Sequence, residues 1–309
     1  MQRYRDFNTY LREIFGERVH KISLDAGLGC PNRDGTISSK GCLFCDRRGS
    51  GTGAFIDRGL SIDEQIIEAK AFIQKRYKAR KFIAYFQSFT NTYAPIPRLK
   101  ALYDQALTHE DMVGLSVATR PDCVDRDVLT LIGSYQRDHL VWIEYGLQSS
   151  HDKTLKRIHR GHDVACFEES IRMTAEKAIN ICAHIILGLP GEDRDMMLET
   201  ARYLSRLPIQ GVKIHLLYVV KGTPLQACYQ RDDFRCLSRD EYADLVVDVL
   251  ERLPPEMVVQ RLTGDPVPSE LVAPAWAGEK QKNLRVIQET LERRDTWQGK
   301  RFQKSTVPK

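Results

Sequence analysis

Along the first 220 residues, short β-branched or aromatic runs alternate with stretches whose apolar residues recur at helical spacing. The runs Lys21–Asp25, Lys81–Gln87, Val113–Ala118, Leu140–Gly146, Ile179–Leu187 and Gly211–Val219 predict six strands. The stretches between them predict helices at Ser61–Tyr77, Pro97–Leu107, Arg126–Tyr135, Val164–Glu176 and Arg194–Leu207. The first of these opens on SIDEQ, which resembles a capping box. Such alternation implies right-handed βαβ units and a parallel sheet, hence an α/β chain. Six units suit an open doubly wound sheet or a partial barrel, and periodicity does not choose between them. After Val220 the pattern changes to a helix at Ser238–Leu253, a strand at Met257–Leu262 and a helix at Glu279–Arg294. Residues 1–20 read as an N-terminal extension, 21–224 as the core and 225–309 as a C-terminal α+β extension. In parallel α/β folds the site lies at the carboxyl ends of the strands, which directs attention to the loops that follow them.

Composition narrows the classes. The 309 residues include no apolar run of the ~18 needed for a membrane-spanning helix. The N-terminal MQRYRDFNTYLREIFGERVH lacks the apolar segment of a signal peptide. The expectation is a cytoplasmic protein without a membrane partner, in which cysteines more often bind metal or react than form disulfides. The net charge of +5 is unevenly spread: residues 279–309 carry nine basic and four acidic side chains, and the preceding 278 residues balance. That basic tail, with Trp297 and Phe302 interleaved, suits RNA or an acidic partner, and equally a solvated helix with a frayed end.

Three of the eight cysteines share one loop. After the first strand, DAGLGCPNRDGTISSKGCLFCDRRGSGTG places Cys30, Cys42 and Cys45 in a C-x11-C-x2-C arrangement. The close pair can put two thiolates on one metal centre, and the longer interval can loop back with a third. Three thiolates are one short of a structural zinc site or an ordinary four-cysteine iron–sulfur cluster. The alternatives are a cluster with one open iron, a zinc site completed by Cys123 or a histidine, or three unrelated structural thiols. Cys166, Cys182, Cys228 and Cys236 show no metal spacing. Cys182 lies in an apolar strand and reads as a core residue, whereas Cys123, after a strand end, stays open.

This arrangement, with Phe44 before the last cysteine, resembles the radical S-adenosylmethionine superfamily, in its branch of YhcC-like proteins and the elongator catalytic subunit. Further segments carry the likeness in order: ATRPD at Ala118–Asp122, EYGLQS at Glu144–Ser149, RIHRGH at Arg157–His162, IILGLPGE at Ile185–Glu192 and GTPL at Gly222–Leu225. The second and third of these are also similar to oxygen-independent coproporphyrinogen oxidase. The resemblance implies a partial (β/α)6 barrel. In it, Cys30, Cys42 and Cys45 hold a 4Fe-4S cluster, and S-adenosylmethionine chelates the fourth iron. It places Gln148 near the ribose, Arg160 against the carboxylate and Leu187 beside the adenine. The chain departs from the pattern at the second strand, where Gln87 and Ser88 replace a Gly-Gly-Glu motif as contacts for the amino group. It departs again at the third strand, where Ser116 or Thr119 replaces a missing acid toward the ribose.

The implied activity is reductive cleavage of S-adenosylmethionine to a 5′-deoxyadenosyl radical that abstracts hydrogen from substrate, with flavodoxin or ferredoxin as electron donor. Elongator acts on the wobble uridine of tRNA, so a tRNA base is one substrate class, with the basic C-terminal segment attracting phosphates. Arg47, Arg48 and the GSGTG stretch form either a further phosphate contact or a loop covering the cluster. The acetyltransferase portion of elongator is not evident. The competing readings are radical chemistry on a small molecule or tetrapyrrole, and a non-catalytic iron–sulfur or zinc protein that binds RNA or senses redox state.

Overall fold

A computed structural model describes residues 2–49 and 58–303. Part of the GSGTG stretch, and Lys304 of the basic tail, lie outside the described residues. The chain opens with α1 (Phe7–Phe15), whose N-cap Asp6 accepts from the Thr9 amide. Strands and helices then alternate: β1 (Val19–Leu24), α2 (Ile62–Tyr77), β2 (Lys81–Phe86), α3 (Ile96–Leu107), β3 (Met112–Thr119), α4 (Arg126–Ser134) and β4 (Leu140–Gln148). There follow α5 (Asp152–Arg157), α6 (Val164–Ala175), β5 (Asn180–Leu187), α7 (Arg194–Leu204) and β6 (Gly211–Leu216). The C-terminal part contains β7 (Val219–Val220), α8 (Pro224–Gln230), α9 (Arg239–Arg252), β8 (Val258–Arg261), β9 (Leu271–Ala273) and α10 (Lys280–Arg293). Local chemistry sets the helix starts. Ser61 and Glu64 close a reciprocal capping box at α2, and Asp125, Asp163 and Asp193 cap α4, α6 and α7.

The main sheet has seven strands in the order β1-β2-β3-β4-β5-β6-β8, every neighbouring pair parallel. This order never reverses, whereas a doubly wound sheet reverses at its switch point. The sheet therefore winds one way into a partial barrel. Its seventh strand comes from the segment that the sequence pattern separates from the core. The curl brings the two edges together, so that Lys21 on β1 donates to Gln260 on β8 at 2.7 Å.

Alternation along each strand sorts residues between two environments. Ile22 and Leu24, Phe82 and Phe86, Leu115 and Val117, Ile143 and Tyr145, Ile185 and Leu187, and Val212 and Ile214 face the helices in one apolar core. The intervening positions point into the barrel and carry Lys21, Tyr85, Ser116, Glu144, His184 and Lys213. Cys182 is fully buried, as expected of a core residue, but on the barrel side, beside Trp142 and Val258.

The N-terminal segment packs on the barrel, and β1 starts at Val19, two residues before the expected strand start at Lys21. Phe7 and Tyr10 of α1 stand edge-on to Trp142 at 6.0 and 5.7 Å and close the amino-terminal end of the strands. The C-terminal segment reaches the same end. Gln298 donates to the Pro254 and Met257 carbonyls at 2.6 and 2.7 Å and accepts from the Arg5 amide at 2.9 Å. Most of the described basic side chains of α10 and beyond meet acids: Arg294 reaches Asp248 and Glu251 at 2.7 and 2.9 Å, Arg301 reaches Glu251 at 2.8 Å, and Lys280 reaches Asp265 at 2.6 Å. Among the described residues, no helix is long and apolar enough to cross a membrane.

Because Trp142 is fully buried against two aromatic rings of α1, Trp142→Ala should lower the unfolding free energy by about 3–5 kcal/mol in urea titrations.

Candidate active site

At the carboxyl ends of the strands the barrel opens into a cavity of about 1300 Å³, including its open mouth, lined by Cys30, Cys42 and Cys45 among others. The cysteine loop is held from three sides. The Leu43 amide donates to the Ile158 carbonyl at 3.0 Å, and the Leu43 carbonyl accepts from the Leu225 amide at 2.9 Å. The Leu43 side chain sits in a separate apolar cluster with Leu155, Ile158, Ile186, Leu189, Leu217 and Leu225. Thus RIHRGH and GTPL, distant in sequence, clamp the turn between Cys42 and Cys45. Gly41 has φ of 71°, the left-handed conformation that lets the chain turn into Cys42 at little cost.

Donors surround the sulfurs. Asn32 Nδ2 and Arg160 Nη1 each lie 3.5 Å from Cys42 Sγ, and Arg33 Nη1 lies 3.5 Å from Cys45 Sγ. Arg160 is itself fixed by two hydrogen bonds to the Gly146 carbonyl, at 3.1 and 2.7 Å. A Cβ at residue 146 would fall 2.6 Å from both Arg160 Nη2 and Gln148 Nε2, so this approach requires glycine. Arg120 of the ATRPD segment grips Asp122 through two bonds of 2.9 and 2.7 Å, and its Nη1 is buried without a partner among the described residues.

Below the cavity lies a buried ionic cluster. The Glu144 carboxylate accepts from Lys21 Nζ at 2.5 Å, Ser116 Oγ at 2.5 Å, His184 Nε2 at 2.7 Å and Lys213 Nζ. Burial alone would favour its neutral form, but Lys21 and Lys213 outweigh it and hold Glu144 well below the usual carboxylate range. His184 is pushed down to about 4 by burial, against the pull of Glu144, so it is neutral and donates its single proton to the carboxylate. Burial pushes Lys213 down to about 7, again against the attraction of Glu144. Glu144, Cys182 and His184 bring three potential metal donors within 4.8 Å. Two ammonium groups already occupy that carboxylate, however, which makes the group an ion-pair network.

The structure gathers Gln87, Thr119, Gln148 and Arg160 with the three cysteines around the one cavity. It does not bring Ser88, Ser116 or Leu187 to the cavity wall. Ser88 is buried, Ser116 is committed to Glu144 and Lys21, and Leu187 faces the helices, while its neighbour Ile186 lines the cavity. The Gln87 Oε1 is buried without a partner among the described residues. Glu192 of IILGLPGE accepts from Ser149 at 2.5 Å, tying the loops after β4 and β5 together. Burial pushes the Cys123 thiol up to about 12, with Asp122 adding to the shift. Tyr85, His184, His215 and Arg261 also line the cavity, and sequence reasoning missed them. Their signal was polar residues at period two inside otherwise apolar parallel strands.

Residues 27–204 match the model of the radical SAM superfamily, and residues 209–293 match the radical SAM C-terminal domain. The chain belongs to the radical SAM superfamily. It is 44% identical over 303 residues to YtqA of Bacillus subtilis, covering 98% of this chain and 94% of that one. It is 36% identical over 274 residues to YhcC of Escherichia coli, covering 87% of this chain and 86% of that one. Similarity to Elongator complex protein 3 of Danio rerio is 30% over 180 residues, 57% of this chain but 31% of the relative. The fold is similar to that of the archaeal Methanocaldococcus infernus Elp3, with a TM-score of 0.68 at 16% identity over 91% of this chain and 64% of that one.

Enzymes of this superfamily use a 4Fe-4S cluster and S-adenosylmethionine. The donor set fits such a cluster better than a single zinc ion. A tetrahedral zinc with Zn–S of about 2.3 Å needs sulfurs about 3.8 Å apart. The three thiols are not among the donor groups that lie within 4.8 Å of one another.

Two outcomes follow for the radical SAM barrel. Glu144→Gln leaves two buried ammonium groups without their counter-charge and should cost about 3–5 kcal/mol in urea titrations. The folded chain releases the Lys213 proton near pH 7 and the unfolded chain near 10.5. Between these values the unfolded state binds more protons, so stability from this group rises with pH. Between pH 7 and 9, wild type should gain about 1 kcal/mol per pH unit on Lys213→Met.

Proposed function

We propose that Cys30, Cys42 and Cys45 hold the cluster of a radical SAM enzyme that modifies a nucleoside of tRNA, the wobble uridine being the first candidate. The observation that carries the site assignment is the convergence of the three thiols with Gln87, Thr119, Gln148 and Arg160 on one cavity. When bound, the cluster and S-adenosylmethionine supply one-electron chemistry: reductive cleavage of a carbon–sulfur bond, then hydrogen abstraction from a substrate carbon. A ferredoxin or flavodoxin is the donor class suited to that reduction.

The chain's own residues tune and orient. Arg160, Arg33 and Asn32 place N–H groups against Cys42 and Cys45, which withdraws charge from the sulfurs and favours the reduced cluster. The unpartnered Gln87 Oε1 offers an acceptor to an ammonium, and Gln148 faces the cavity with amide groups suited to a ribose. Leu43 and its apolar cluster keep the loop seated, and the barrel walls keep water from a reactive site.

The tRNA reading is supported by similarity to Elongator complex protein 3 through the core. The C-terminal segment contributes less than its charge suggests. Thr296 and Gln298 are buried anchors at the end of the barrel away from the cavity, and most of the nearby basic groups have acidic partners. Cutting the chain at 296 would therefore disturb the fold, and replacing the exposed Lys300 is the cleaner probe of RNA contact.

Anaerobically purified protein should be brown, iron-rich and able to cleave S-adenosylmethionine to 5′-deoxyadenosine and methionine. Each of Cys30→Ala, Cys42→Ala and Cys45→Ala should abolish the colour and the cleavage. A colourless protein that keeps one zinc in Cys30→Ala overturns the cluster. Nucleosides of tRNA from cells with and without the protein, compared by mass spectrometry, should differ in one modified base. Identical profiles under both aerobic and anaerobic growth exclude tRNA and favour a small-molecule substrate.

A further inference from the structure

Among the described residues, one cation of the cavity has no counter-ion. Arg261, the last residue of β8, lines the cavity and pairs in register with Lys213 of β6. The other arginines there are occupied: Arg33 by the Asp46 carbonyl, Arg120 by Asp122 and Arg160 by the Gly146 carbonyl. Among the described residues, Arg261 has neither a hydrogen-bond acceptor nor an ion-pair partner. Next to it stands His215 of β6, also on the cavity wall. Neither ring nitrogen of His215 has a partner among the described residues, and Nε2 is shut off from solvent. Two carboxylates line the cavity: Glu144 already accepts four donors, and Asp46 is engaged in its own loop, accepting from the Arg48 amide at 2.9 Å.

An arginine keeps its charge in any protein environment, and a largely enclosed charge without a partner is costly. A planar guanidinium beside a neutral imidazole offers a bidentate fork and one further N–H, a donor set matched to a carboxylate or phosphate. We propose that Arg261 and His215 form a subsite for an oxyanion carried by the substrate. Two sources of oxyanion compete for it: the substrate, and the methionyl carboxylate of S-adenosylmethionine. The substrate is favoured by position. Arg261 and His215 belong to β8 and β6, while Thr119 and Gln148 come from β3 and β4, and Gln87 and Arg160 from the loops after β2 and α5. The inference rests on reading the cavity as the radical SAM active site, but not on the substrate being RNA.

The test is phenylglyoxal labelling of the anaerobically reconstituted holoenzyme, read by peptide mass spectrometry at constant ionic strength, with malonate and inorganic phosphate as probes. With S-adenosylmethionine bound, Arg261 should label, and malonate or phosphate at saturating concentration should slow its labelling at least tenfold. His215→Phe should weaken that protection several-fold by removing one hydrogen bond. Protection by S-adenosylmethionine alone would assign the oxyanion to the cofactor and overturn the substrate role. Labelling indifferent to both anions, or no labelling under any condition, overturns the subsite. No RNA enters the measurement, so an unchanged tRNA profile would remove the tRNA reading and leave this result standing.

Discussion

The carboxylate of Glu144 is the charge around which the barrel closes. It draws Lys21 from β1, Ser116 from β3, His184 from β5 and Lys213 from β6 to one point, and Lys21 in turn reaches Gln260 on β8. Ladder hydrogen bonds join only adjacent strands and do not determine how far a parallel sheet curls. A buried ion on β4 that takes donors from β1 on one side and β6 on the other does, because any flatter sheet would leave charge enclosed and unpaired. The same ion pair forms the floor of the cavity, so the fold and the chemistry share one electrostatic constraint.

Above that floor, the cysteine loop has little regular structure of its own. Its shape is imposed by groups from elsewhere: the Ile158 carbonyl, the Leu225 amide and the apolar cluster that receives Leu43. This explains how an interval of eleven residues between the first two cysteines can be accommodated. The added length is held by contacts such as Asn32 to the His159 carbonyl and Gly41 to the Asn32 carbonyl, while the Cys42–Cys45 turn keeps its seat. The opposite end of the barrel is sealed by α1 and the segment around Gln298, which leaves the mouth as the route to the thiols.

Much of the fold was legible because it is written in local patterns. The six strands, the helices and the capping box at Ser61 follow from periodicity and short-range hydrogen bonding, and they fall within a few residues of their expected bounds. The site was legible where chemistry is tied to spacing, as with Cys30, Cys42 and Cys45 on one cavity. It was less legible where side-chain direction decides. Leu187 and Ile186 are adjacent and both apolar, and only the pleat sends one to the core and the other to the cavity. Ser116 has the hydroxyl expected of a ribose contact, but it lies one pleat too deep and serves Glu144.

The sequence by itself determined the alternating α/β class, the membership of the thiols in a single loop and the presence of a charge-dense C-terminal segment. The tertiary structure decided that the sheet becomes a one-way barrel with a seventh strand, that α1 is a seal, and that most of the basic tail meets acids of α9 and its surroundings. It also decided that Arg261 faces the cavity without a partner among the described residues. The physical reason is range. Periodicity and capping act over a few residues, whereas the pairing of charges such as Lys21 with Glu144, 123 positions apart, exists only once distant strands have met.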